Sequence, residues 1–253
     1  MSATLPVDER HRDVIDARGE EVVTYLQGQL SQDVGDLAVG QPVWSLLLEP
    51  TGKLGWWIRV TRLDEPDHLS IDVEAGVGED VLARLNRFKL RSRVTFELQA
   101  SESTPADGGD DDLEVARIEA GVPRAGAEIV DGVIPAELGQ WLIDASVSFT
   151  KGCYTGQELV ARIDSRGGNV PRQLRGLVLA DDHVPSAGAE VLVGDDVVGT
   201  VTSAARSPGL GAPVALSLVA RRVEVPSPAN IRDADGLWPA EIRALPLVGV
   251  QPA

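Results

Sequence analysis

Lys151-Gly152-Cys153-Tyr154-Thr155-Gly156-Gln157-Glu158 crowds an amine, a thiol, a phenol, an amide and a carboxylate around two glycines. Cys153 is the only cysteine in the chain. Leu159-Val160-Ala161-Arg162-Ile163 then opens an apolar segment. The run holds too much reactive chemistry for a plain turn and too few apolar residues for plain core. It is expected to line a site.

The chain before this run alternates strands and helices. Val14–Ala17 is a strand candidate. A helix is expected over about Glu20–Leu30, with Val23, Leu26 and Leu30 at helical spacing and Glu20 and Glu21 at the positive end of its dipole. Gly28 inside that helix costs about 1 kcal/mol against alanine, which implies a close backbone contact or an early helix end. Val43–Leu48 and Leu54–Arg62 flank a Glu49-Pro50-Thr51-Gly52 turn. Leu69, Ile71 and Val73 alternate as a third strand, Glu79–Lys89 is an amphipathic helix, and Val94, Phe96 and Leu98 alternate again. The order β-α-β-β-β-α-β predicts an α+β class. Residues 100–112, rich in Asp, Ser, Pro and Gly, read as an acidic linker.

After the opening run the texture becomes β-rich. Strands are expected at Leu174–Leu179, Ala189–Val193, Val197–Ser203, Pro213–Val219 and Glu241–Leu245, the last following an Asp233-Ala234-Asp235-Gly236 turn. Short strands with turns between them favour a small barrel or sandwich. The boundary falls near 172, giving an α+β region over 1–171 and a β-domain over 172–253.

Composition narrows the function classes. No run approaches the roughly 18 apolar residues of a membrane helix. A lone cysteine forms no intramolecular disulfide, and the N-terminus shows no basic region followed by an apolar core, so a cytoplasmic protein is expected. The formal charge of −16 repels phosphate backbones, so direct nucleic-acid binding is not expected; the basic run Arg84, Arg87, Lys89, Arg91, Arg93 reads as a solvated face. His11, His68 and His183 lie far apart and no CxxC occurs, so no metal site is predicted. Walker A and GxGxxG motifs are absent, and Arg166-Gly167-Gly168-Asn169 reads as a connector.

Two candidate groups stay open on chemistry alone. The charge of Lys151 favours thiolate at Cys153, but a buried cysteine is also a small hydrophobe. Arg117 and Glu119 would share a face on a strand, as a ligand-holding pair or a solvated one.

Together these residues resemble a known family. Lys151–Glu158 resembles the signature of the YgfZ-type folate-binding proteins, relatives of the aminomethyltransferase (T-protein) of the glycine cleavage system. Tyr25–Val34, Ala116–Pro123 with Gly126 and Glu128, and Val198–Ser203 with Pro208–Gly211 resemble other parts of it. The resemblance implies three subdomains in a ring around a folate, two of them interleaved within 1–171 and the last a C-terminal β-barrel. It implies a cofactor, tetrahydrofolate or a one-carbon derivative. The implied function is support of the assembly or repair of iron–sulfur enzymes, including one that modifies tRNA; the partners would be those enzymes or assembly proteins. A one-carbon transferase and a non-catalytic scaffold are the alternatives. On this resemblance Cys153 and Lys151 are the catalytic candidates facing the folate cavity, Tyr154, Gln157 and Glu158 belong to the same wall, and Arg117 and Glu119 help hold the ligand.

One departure separates the relatives. The aminomethyltransferases carry carboxylates after the glycine-containing hairpin; here Trp56 and Trp57 stand in that stretch. An indole cannot take a proton or pair with an amine as a carboxylate does, so classical aminomethyl transfer is not expected. Trp56 and Trp57 either stack on a pterin or face core and interface.

Overall fold

The computed structural model of the protein describes residues 5–101 and 111–249. Five strands form an antiparallel sheet: β1 (Arg12–Arg18), β2 (Pro42–Leu48), β3 (Leu54–Arg62), β4 (His68–Glu74) and β5 (Thr95–Gln99), in the order β2-β3-β4-β1-β5. Helices α1 (Val22–Gln29) and α2 (Gly78–Phe88) pack on one face. Alternation decides which side chains meet them: Ile15, Ala17, Ile58, Val60 and Ile71 join Leu26, Val81 and Leu85 in one core. In α2, Glu79 and Asp80 occupy the first turn and Arg87 the last, as the helix dipole favours.

The expected elements of this half are present, with one shift. Helix α1 starts at Val22, after Glu20 and Glu21, and the Glu21 carboxylate accepts the Arg93 N–H at 2.6 Å instead. Gly28 does mark a close contact: its carbonyl accepts the Thr155 N–H at 3.0 Å. A Cβ there would meet nothing within 4 Å, so the contact runs through the carbonyl.

The middle of the chain is helical. Helix α3 (Asp111–Ala120) is followed by a short 3-10 helix at Pro135–Leu138, then α4 (Gln140–Ser146) and α5 (Gln157–Asp164). The strand reading of Arg117 and Glu119 is therefore corrected: both lie in α3. Residues two apart on a helix do not share a face. Of the expected acidic linker, residues 102–110 lie outside the described residues, while Asp111 and Asp112 begin α3.

Six strands close a barrel: β6 (Arg172–Leu179), β7 (Glu190–Val193), β8 (Asp196–Ser207), β9 (Ala212–Ala220), β10 (Ser227–Asp233) and β11 (Gly236–Arg243), in the order β10-β11-β6-β9-β8-β7, with β7 pairing β10. Strand β10 escaped the sequence reading, and the final strand sits earlier than 241–245. Only Ala229 and Ile231 of β10 turn inward, between Pro228, Asn230, Arg232 and Asp233, so its apolar signal is two residues long.

The boundary at 172 coincides with the start of β6, but packing crosses it. One core holds Leu46 and Trp57 of the sheet, Ile118 and Leu142 of the helices, and Leu174, Leu216 and Leu218 of the barrel.

Candidate functional site

A cavity of about 370 Å³ lies where β1–β4, α3 and the Val122–Ile129 loop converge, with Pro6–Asp8 also in its lining. Strand register builds its aromatic wall. Trp57 pairs with Leu46, and Trp44 with Arg59, so Trp44 and Trp57 are diagonal neighbours on one face of β2–β3. Their rings stack at 4.1 Å and 24°. The Arg12 and Arg59 guanidinium groups each lie 5.5 Å from the Trp44 ring centroid. Trp57 is 9% exposed; its N–H donates to Ser146 Oγ at 3.0 Å and its ring meets Trp141 edge-on. Trp57 is thus a core residue that shows the cavity part of its surface. Trp56 is half-buried, packs against the helical side of the sheet, and also lines the cavity.

The polar lining includes Glu74, Glu114, Arg117 and Arg124, with Asp8, His11, Arg12 and Asp111. Glu74 Oε2 accepts the Ala125 N–H at 2.8 Å. Burial lifts this carboxyl above its ordinary 4.5, outweighing the Ala125 hydrogen bond and the charges of Arg124, Arg117 and Arg12. Burial also pushes Glu114 upward, but the Arg117 hydrogen bonds and the charges of Arg117 and Arg124 hold it below its ordinary value. Arg124 reaches Glu114 at 3.2 Å and remains substantially exposed.

Arg117 is buried and spends every donor it has. Its Nε and Nη2 donate to Glu114 at 2.8 and 2.6 Å, its Nη1 to Val122 O at 2.7 Å and Glu128 at 3.0 Å, and its Nη2 also to Ser203 Oγ at 2.7 Å. Glu128, fully buried, accepts from Arg117, the Arg124 N–H, Thr202 and Ser203. Glu119 accepts from Ser207 of β8, and its carbonyl takes the Leu247 N–H at 2.7 Å. Arg117 lines the cavity and Glu119 does not, and the polar atoms of both dock α3 onto the barrel.

The opening run lies elsewhere. Lys151, Cys153, Tyr154, Gln157 and Glu158 are not among the residues lining this cavity. Lys151 Nζ donates to the carbonyls of Gln27, Leu30 and Gln32 at 2.8, 2.7 and 2.9 Å, closing the end of α1. Burial pulls its pKa to about 8, with Asp33 opposing. Tyr154 packs on the shared core, and burial raises its phenol to about 12. Gln157 Oε1 accepts the Tyr154 N–H at 2.9 Å. Cys153 and Glu158 are exposed. Gly156 has φ 82°, and a Cβ there would fall 2.6 Å from Glu49 O; one on Gly52 would fall 2.4 Å from Leu159 Cβ. The two glycines let this run and the β2–β3 hairpin meet backbone to backbone.

Sequence reasoning missed Trp44, Glu74, Glu114 and Arg124. Trp44 carried a signal, since it shares strand parity with Leu46 in a hairpin whose register the turn fixes. Glu74 carried none beyond closing an alternating strand. The histidines are less isolated than their spacing suggests: His183, Asp233 and Asp235 bring ligand-type atoms within 4.8 Å of one another. His183 Nε2 and Asp233 already share a hydrogen bond there at 2.6 Å, and His183 stacks on Trp238.

Comparison with known proteins adds relatives to this geometry. Residues 172–248 match the glycine cleavage T-protein C-terminal barrel domain. An uncharacterized protein of Haemophilus influenzae is 29% identical over 62% of this chain and 67% of its own length. An aminomethyltransferase of Streptomyces avermitilis is 36% identical over 53% of this chain, but the match spans only 36% of that enzyme. The crystal structure of the glycine cleavage system aminomethyltransferase T from Bartonella henselae superposes with a TM-score of 0.75 over 96% of this chain and 86% of that one, at 17% identity.

Proposed function

We propose that this chain, which has the aminomethyltransferase fold and ends in the barrel domain of that superfamily, is a tetrahydrofolate-binding protein using the Trp44–Trp57–Glu74 cavity. The observation that carries the reading is Glu74: a part-buried carboxyl in an aromatic-walled cavity, with a single backbone N–H as its hydrogen-bond partner among the described residues. A pterin offers N–H donors that such a carboxyl accepts. A volume of about 370 Å³ falls within the ~300–1,000 Å³ of pockets that take drug-sized ligands. Val77, Leu113, Val122 and Ile129 supply apolar lining, and Arg124 supplies an exposed cation suited to the glutamate carboxylates. Bound tetrahydrofolate would supply a one-carbon carrier; the chain's own residues bind and orient it. Isothermal titration of tetrahydrofolate tests this: saturable binding that weakens in Glu74→Ala is expected, and the absence of binding would refute it.

The role we assign downstream is support of the assembly or repair of iron–sulfur enzymes, including one that modifies tRNA. It follows the resemblance of Lys151–Glu158 and the other motifs. A strain lacking the protein should lose iron–sulfur enzyme activity and recover it with the wild-type chain. Aminomethyl transfer is the competing reading, favoured by the named relatives. Trp56 and Trp57 oppose it, and an assay for methylene-tetrahydrofolate from aminomethyl donors should show no turnover.

A further inference from the structure

A second cavity, of about 260 Å³, shares no lining residue with the first. It lies between the 3-10 helix with the start of α4 and the Gly167–Gly168 loop with the first residues of β6. Trp141, only 8% exposed, lines it. The Cδ1–Nε1 edge of its indole abuts Gly139, where φ is 124° and a Cβ would come within 2.9 Å of Cδ1 and 3.0 Å of Nε1. Trp57 and Trp238 donate their indole N–H to Ser146 and Asp233. The Trp141 N–H has no acceptor among the described residues and is not fully sealed from solvent. A buried indole N–H usually finds a partner, so this one is left free for an acceptor entering the cavity that Trp141 lines.

The second donor is Arg175. Among the described residues it contacts Gln173 and no carboxylate, in a chain with 39 acidic residues against 23 basic ones. Burial pulls its pKa below the ordinary arginine value, with no acid opposing. Glu137, the one acid in this lining, has its oxygens committed to Arg172 at 2.9 and 3.0 Å and to the Ile134 N–H at 2.9 Å.

We propose that this cavity binds a small organic oxyanion, a carboxylate or a phosphate ester, through the Arg175 guanidinium and the Trp141 N–H. Planar guanidinium suits either head group. A space of 260 Å³ holds about nine waters at ~30 Å³ each, more than a bare anion fills. Leu138, Leu174 and Leu245 line the remainder and suit a short apolar body. The site stands apart from the folate reading, because the two cavities share no lining residue.

The chain has five tryptophans, so the indole region of a ¹⁵N-labelled spectrum assigns Trp141 by the signal lost in Trp141→Phe. Benzoate and phenyl phosphate serve as probes. At least one should move the Trp141 signal saturably while Trp44 and Trp56 stay in place, and the tighter probe identifies the head group. Arg175→Gln should weaken that probe about tenfold or more, as expected for a lost charge-assisted pair. Two results overturn the site: neither probe moves Trp141, or Arg175→Gln binds as tightly as wild type. Should Arg175→Gln disperse poorly, calorimetry on Trp141→Phe replaces it. Loss of one hydrogen bond should weaken binding about fivefold, and unchanged affinity there rejects the proposal.

Discussion

Arg117 of α3 donates to Ser203 of β8 at 2.7 Å, across the join between the helical middle and the barrel. Both residues also contact Glu128, which is fully buried. The arginine is thus a strut in an ion-paired network that spans the sequence boundary at 172. Charge networks of this kind are fragile to single deletions, because the partner left behind stays buried and unpaired.

Arg117→Met should therefore destabilise the protein by about 3–5 kcal/mol, read as a lower urea midpoint. Arg117→Met combined with Glu128→Leu should cost less than the sum of the two single changes, since residues in one network couple. Additive effects would show that Arg117 and Glu128 do not act as a pair.

Lys151 and Cys153 should separate cleanly. Lys151→Met leaves the carbonyls of Gln27, Leu30 and Gln32 without their common donor. At ~1–3 kcal/mol for an orphaned buried group, and with part of the surface accessible to water, the expected loss is about 2–4 kcal/mol. Cys153 is exposed, so Cys153→Ala should stay within about 0.5 kcal/mol of wild type. Thermal melts of both variants decide this. Tetrahydrofolate affinity should be unchanged in Cys153→Ala; a large loss would return the thiol to the ligand site.

The aromatic wall yields a prediction on affinity. Trp44 carries one face of Trp57 and sits beneath two guanidinium groups. Trp44→Leu removes a stack worth about 0.5–1.5 kcal/mol beyond its buried area and loosens the wall. Tetrahydrofolate binding should weaken roughly tenfold, while Trp238→Leu in the barrel should leave it unchanged. Equal affinity in Trp44→Leu would place the ligand elsewhere.

The sequence's periodicities located the sheet, both of its helices and most of the barrel, because Ile15, Ile58, Ile71 and Leu85 alternate or recur as burial demands. Strand β10 was invisible for the opposite reason: Pro228, Asn230 and Arg232 mask two inward apolar residues. The site was legible only in part. Trp56, Trp57 and Arg117 do line the cavity. Lys151 drew notice for its chemistry, yet its donors satisfy the end of a helix more than a hundred residues away in sequence. Glu74 gave no signal, since its character comes from burial, opposed by the Ala125 hydrogen bond, and burial of that kind is a tertiary property.

Glu74 also sets a pH dependence. Its carboxyl titrates above the ordinary 4.5 in the folded chain because burial disfavours the charge. The folded state therefore holds this proton more tightly than the unfolded state. The stability it contributes is fully present below the unfolded value and is lost as pH rises through the folded one. Glu74→Gln keeps an acceptor for the Ala125 N–H but carries no charge at any pH. Its melting temperature should match wild type in acid and exceed it progressively above about pH 5, with the gain levelling off once the native carboxyl is ionised. The variant should also lose the pH dependence of tetrahydrofolate binding over the same window. A melting difference that does not change with pH would show that Glu74 is solvated as an ordinary surface carboxylate.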